Sequence, residues 1–76
     1  MTANQMIELM NRIPFHPLEI HLSGGRAIRV EHPYEIATQP NSAACTVYCP
    51  DGLMRIVAYR NITEVITGEP QTALPA

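Results

Sequence analysis

The chain has 76 residues, five basic against seven acidic, for a formal charge of −2 at neutral pH. That length allows one domain, and the acidic balance argues against wrapping duplex DNA, which calls for a dense basic surface. With one Phe, three Tyr and no Trp, the core must rest on Ile, Val, Leu and Met. A domain this small buries only about 60% of the surface its unfolded chain exposes, so it needs a compact fold, a staple or a partner.

The first element is a helix over residues 2–13. Thr2 followed by Gln5 fits a capping box, in which the hydroxyl and the amide each satisfy a free backbone N–H. Met6, Leu9, Met10 and Ile13 recur at helical spacing and form one apolar stripe. Glu8 and Arg12 stand four apart in the favourable order, and Pro14 ends the helix.

Next comes a β-hairpin. Leu18, Ile20 and Leu22 alternate with Glu19 and His21, and Ile28 and Val30 alternate with Arg29 and Glu31. Phase decides the loop length, because directly opposed residues share a face. A two-residue turn at Gly24-Gly25 would set Ile20 against Arg29. A three-residue loop, Ser23-Gly24-Gly25, sets Ile20 against Ile28, Leu18 against Val30 and Glu19 against Arg29. It puts Gly25 in the left-handed position that such loops require.

His32-Pro33 ends the second strand. Residues 34–38 read as a short third strand or bend, and Gln39-Pro40-Asn41-Ser42 as a turn. A second hairpin follows, with strands over 44–49 and 53–59 across Pro50-Asp51-Gly52. Cys45, Val47 and Val57 fall on one face; Tyr48, Met54, Ile56 and Ala58 fall on the other. A strand apolar on both faces needs two partners, which can be the domain's own core and either the helix or a second protomer. Residues 62–66 make a last strand. Residues 1–67 therefore form one domain, with 68–76 as a flexible, Pro-containing tail.

Cys45 and Cys49 lie four apart on one strand, so their Cα atoms sit about 13 Å apart, beyond the ~7 Å that a disulfide spans. Both are read as reduced core thiols. No segment is apolar and long enough to span a bilayer, and the N-terminus lacks the pattern of a secretory signal. The expectation is a cytoplasmic protein, in which the Asn61-Ile62-Thr63 sequon is accidental.

A helix, a bent strand pair and three further short strands is the order found in Sm-like barrels, including the bacterial Hfq RNA chaperones. Leu22-Ser23-Gly24-Gly25-Arg26 resembles the first Sm hairpin. Residues 56–66, IVAYRNITEVI, resemble the second Sm motif, with Tyr59-Arg60-Asn61 where Hfq has a Tyr-Lys-His run. The chain lacks the second-strand Gly and the aromatic-Asp element of Sm proteins, carrying Val30-Glu31-His32 and Pro33-Tyr34-Glu35-Ile36 instead. It also resembles a set of short uncharacterised bacterial proteins with a Pro-Phe-x-Pro start, a Gly-Arg turn and a Val-x-His-Pro end. Here these are Pro14-Phe15-His16-Pro17, Gly25-Arg26 and Val30-Glu31-His32-Pro33. The resemblances imply a bacterial or phage source and a mainly β fold with one N-terminal helix. That fold is a small five-stranded, strongly bent antiparallel barrel of Sm-like or SH3-like type.

No nucleophile motif, phosphate-cradling loop or metalloprotease signature is present, so the chain is read as no enzyme, with no cofactor and no metal. His21 reads as a solvated strand residue. His16 and His32 end strands, and they lack a third ligand unless Glu31 or Glu35 turns inward. The candidate ligand or RNA site is Arg60 and Asn61, facing the pore if an Sm-like ring forms. Gln5 would join them, and Tyr48 or Tyr59 would supply a stacking face. Two functions stand at this point. One is a non-catalytic homo-oligomeric Sm-like module, arranged as a ring and binding single-stranded RNA. The other is a protein–protein assembly module with the same barrel and no nucleic-acid role.

Overall fold

The structure, a computed structural model, describes residues 1–68. Beyond Gly68, the expected flexible tail lies outside the described residues.

Helix α1 runs Ala3–Met10. Its capping box forms: Thr2 Oγ1 accepts the Gln5 N–H at 3.2 Å, and Gln5 Oε1 accepts the Thr2 N–H at 2.9 Å. The helix ends at Asn11, short of the expected Ile13. Pro14 disfavours a helical conformation at Ile13, and the chain leaves the helix before reaching it. Ile13 is 98% exposed and outside the apolar stripe, which reduces to Met6, Leu9 and Met10. Arg12 is also off the helix, and the Glu8–Arg12 pair is not among the ion pairs of the described residues.

Strands β1 (Leu18–Leu22) and β2 (Ala27–Val30) form the first hairpin in the expected register: Leu18 opposite Val30, Glu19 opposite Arg29, Ile20 opposite Ile28. The Leu22 N–H donates to the Arg26 carbonyl at 2.8 Å and closes a three-residue loop, with Gly25 at φ 88°. On the wet face, opposed register does not become an ion pair. Glu19 bonds His21 at 2.6 Å, and Arg29 bonds Glu31 at 2.5 Å. Each partner stands two residues along the chain, on the same side of the extended backbone.

Where a short third strand or a bend was expected over 34–38, the chain makes a 3₁₀ turn, Pro33–Glu35, and then a two-residue strand β3, Ile36–Ala37. Pro33 is pre-set for the first helical position. Glu35 Oε1 reaches back to accept the backbone N–H groups of Glu31 (2.7 Å) and His32 (3.1 Å).

The second hairpin joins β4 (Ala44–Tyr48) and β5 (Met54–Ala58), with Cys45 opposite Val57 and Thr46 opposite Ile56. Its loop is of the same kind as the first: the Cys49 N–H donates to the Leu53 carbonyl at 2.8 Å, and Gly52 has φ 84°. A second 3₁₀ turn, Tyr59–Asn61, leads into β6, Ile62–Thr67. β6 returns antiparallel to β1, with an irregularity between His21 and Leu22.

The result is two three-stranded antiparallel sheets, ordered β2-β1-β6 and β3-β4-β5. They share one core: Ala3 and Met6 from the helix; Leu18, Ile20, Ile28 and Val30 from the first hairpin; Ile36, Cys45, Val47, Val57, Tyr59 and Ile62 from the rest. Both cysteine thiols are free.

The two loop glycines give a paired prediction. A Cβ at Gly25 or Gly52 meets no atom within 4 Å, so the cost of Ala there is conformational. The left-handed region costs an L-residue about 1–2 kcal/mol. Gly25→Ala and Gly52→Ala should each lower unfolding free energy in urea by about that much. Gly24→Ala, in open space without a positive φ, should stay within about 0.5 kcal/mol of the parent.

Candidate functional site

Arg60 and Asn61 sit on the 3₁₀ turn between β5 and β6, both exposed. The Asn61 carbonyl accepts the Ser23 N–H at 2.8 Å, which fixes the turn against the first hairpin loop and leaves the Asn61 side chain outward. Arg60 takes part in neither of the ion pairs among the described residues. The exposed guanidinium therefore has its donors open to solvent.

Gln5 and Tyr59 mark two open cavities flanking the start of α1. One, of about 330 Å³, is lined by Gln5 and Leu9 from the helix and by Ile62, Thr63, Glu64 and Val65 from β6. The other, of about 350 Å³, lies among Thr2, Asn4, Asn41, Ser42 and Tyr59. Gln5 is partly committed, since its Oε1 serves the helix cap and only its amide N–H groups remain to donate.

Two proposed stacking faces do not join this group. Tyr59 is 4% exposed, with its ring in the core and its hydroxyl 2.6 Å from Thr38 Oγ1. Burial pushes its phenol above the ordinary value. Tyr48 is exposed but pairs with Met54 at the loop end of the second hairpin, whereas Ala58, next to the turn, pairs with Ala44 at the other end. Four residues of strand separate the two ends, about 13 Å.

One polar contact had little sequence signal. Asn41 has a left-handed backbone, φ 63°, and its N–H donates to Asn4 Oδ1 at 3.3 Å, tying the β3–β4 connection to α1. The Pro40-Asn41 pair signalled a turn, but nothing in the sequence linked that turn to the helix 37 positions away. The histidines also resolve locally: His32 stacks on Tyr34 with centroids 5.0 Å apart and planes 6° from parallel. Among the described residues, no group of three His, Cys, Asp or Glu side chains converges, and no helix is long and apolar enough to cross a membrane.

The second hairpin carries the other notable surface. Cys45, Val47 and Val57 face the core, while Tyr48 (49%), Met54 (58%) and Ile56 (73%) are exposed on the outer face, beside Leu53 (57%). Four large apolar side chains in one place on so small a domain form the kind of patch that marks an interaction surface.

No protein-family model matches the chain. No curated protein matches it. No solved structure matches it.

Proposed function

We propose that this chain is a non-catalytic, self-associating binding module of the Sm-like type that takes single-stranded RNA. In this reading β2 and β3 are one strand broken at Pro33, so the two sheets become the halves of a five-stranded bent barrel. Single-stranded RNA is the ligand that a few placed side chains serve without a basic surface: Arg60 can stack on or fork toward a base, and Asn61 can bond a base edge. Gln5 lines the first cavity with Ile62 and Thr63, which follow the turn directly in sequence. The observation that carries the reading is the turn itself, which holds Arg60 and Asn61 exposed between two strands while the neighbouring Tyr59 is locked in the core. A cytoplasmic setting goes with it.

The assembly-module reading draws on the net charge of −2 and on the apolar outer face of β4 and β5. Titration separates the two. Fluorescence anisotropy of short oligo-U and oligo-A should show binding at 50 mM salt. Its salt slope should be shallow, because the slope scales at about 0.7 per neutralised phosphate on single strands. Arg60→Ala with Asn61→Ala should weaken binding at least tenfold without changing the melting temperature. Absence of binding at 50 mM salt, or indifference to the double substitution, leaves the assembly reading standing alone.

A further inference from the structure

The second hairpin presents a sheet face that no part of the described chain covers. Directly opposed residues share a face, so the pairs Ala44–Ala58, Thr46–Ile56 and Tyr48–Met54 stand together on its outer side. Ala37, opposite Thr46 on β3, extends that face. Tyr48, Met54 and Ile56 are 49%, 58% and 73% exposed. A strand apolar on both faces needs a second partner, and α1 does not supply it. Met6 is fully buried and Leu9 and Met10 pack against the core, so the apolar stripe of the helix is already covered.

Two properties of this face select what can cover it. The first is charge. No residue on it is charged, and its side-chain polar atoms are the Thr46 and Tyr48 hydroxyls. The wet face of β1 and β2, by contrast, carries Glu19, His21 and Arg29. An uncharged face has nothing to steer an acidic peptide, a basic peptide or a phosphate backbone. The second property is a gradient of size. Ala44 pairs with Ala58 at the end next to the Tyr59–Asn61 turn, Thr46 pairs with Ile56 in the middle, and Tyr48 pairs with Met54 at the loop end. The partner must be bulky where this face is shallow and shallow where it is bulky. A second copy, reversed end to end, has that shape.

We infer that the outer face of β4 and β5 is a homodimer contact, in which two copies pack face to face about a two-fold axis. The axis lies in the interface and runs across the strands at the Thr46–Ile56 pair. It sets β4 over β4 and β5 over β5 with their directions reversed. Tyr48 then covers Ala44 of the second copy, Met54 covers Ala58 of the second copy, and Ile56 meets its own counterpart. An axis along the strands would instead set Tyr48 against Met54 and leave the alanines facing a gap. The contact is isologous, so it closes at two copies and needs neither a ring nor RNA. Packed sheets lie ~10 Å apart with their strands within about 30° of each other, a spacing that a large side chain over a small one fills. Area sets the strength. At about 150–250 Å² for a large side chain, the three exposed ones contribute roughly 350 Å² per copy and about 700 Å² in the pair. Thr46 and the alanines add to this. The total is at the low end of protein–protein contacts, below ~1,200 Å², so the dimer is weak and forms at around 100 µM protein.

Charge placed on the axis tests this, because Ile56 faces its own counterpart. Sedimentation from about 20 µM to about 1 mM should show the parent double in mass, as a weak contact does. Ile56→Glu and Ile56→Lys should each lose the doubling, since like charges meet across the axis. Their equimolar mixture should regain it, with a dissociation constant at least tenfold below that of either variant alone. Position 56 is exposed, so an unchanged melt of the dilute variants separates a lost contact from a lost fold. Thiol cross-linking on a Cys49→Ala background locates the axis. A short bismaleimide should link Ile56→Cys to itself, and Tyr48→Cys to Ala44→Cys in a mixture. It should not link Tyr48→Cys to itself, because those positions lie about 14 Å apart along the strands. A parent whose mass does not change up to about 1 mM overturns the inference and leaves the face to an unlike partner. A charge mixture no tighter than its parts, or a Tyr48→Cys self-link in place of the Ile56→Cys one, overturns the two-fold geometry.

Discussion

Replacing Ile20 with Ala is expected to remove about half of the stability of this domain. Ile20 is fully buried on the central strand of its sheet, between Ile28 on β2 and Val65 on β6. Truncating a buried Ile to Ala costs about 2–5 kcal/mol, and the higher end applies where neighbours are held by a ladder and cannot collapse into the cavity. Natural domains have about 0.05–0.15 kcal/mol of stability per residue, which gives this chain roughly 4–11 kcal/mol in all. At about 4–8 °C per kcal/mol for a domain of this size, melting followed by circular dichroism should fall by at least ~10 °C. Ile56→Ala, at a site 73% exposed, should leave the melt of the dilute protomer almost unchanged. If assembly is linked to folding, it should reduce the rise of melting temperature with protein concentration.

That contrast between two isoleucines was legible in the sequence as alternation. Ile20 sits between Glu19 and His21, so only one face of β1 is apolar, and the core side follows. Ile56 belongs to a run apolar on both faces, and the pattern alone could say only that a second partner was needed. Both hairpin loops were equally legible, since parity and glycine placement each allow one length. The break at Pro33 was harder to read. Pro33 and Glu35 were visible, but whether residues 34–38 would extend or turn depended on Glu35 finding the N–H groups of Glu31 and His32. The helix stops short of Ile13 for a related reason: Met6, Leu9, Met10 and Ile13 are correctly spaced, but the conformational effect of Pro14 outweighs the spacing. Of the candidate site, the position of Arg60 and Asn61 was legible because a turn had to separate two strand patterns. Tyr59 was not, because an aromatic residue at a strand end reads the same whether it packs inward or faces a ligand.

The inward setting of Tyr59 joins fold and site, since the turn that displays Arg60 hangs from it. Its N–H donates to the Ala43 carbonyl at 2.9 Å, its hydroxyl shares a hydrogen bond with Thr38, and its ring lies in the core. Tyr59→Ala should cost about 3–5 kcal/mol, as for other large aromatic truncations. It should also abolish any function of Arg60 by releasing the turn. Tyr59→Phe keeps the ring and removes the hydroxyl, at a cost of about 1–2 kcal/mol for a buried partner left unsatisfied.

The same group gives an alkaline signature. Burial raises the Tyr59 phenol above its ordinary 10.0, with the Thr38 hydrogen bond opposing, and burial raises the Cys45 thiol above its ordinary 9.0, with the Tyr59 hydroxyl opposing. Both groups are neutral when protonated and hold their protons more tightly folded than unfolded. Their contribution is constant below pH 9, and stability falls as the unfolded chain ionises first, Cys45 from about pH 9 and Tyr59 from about pH 10. Urea midpoints measured from pH 7 to 11 should therefore be flat and then decline. Tyr59→Phe should remove the later part of the decline and Cys45→Ala the earlier part. A decline unchanged in both variants would show that neither group is protected by its place in the core. The support of the Arg60 turn by a buried Tyr59 would then have to be abandoned.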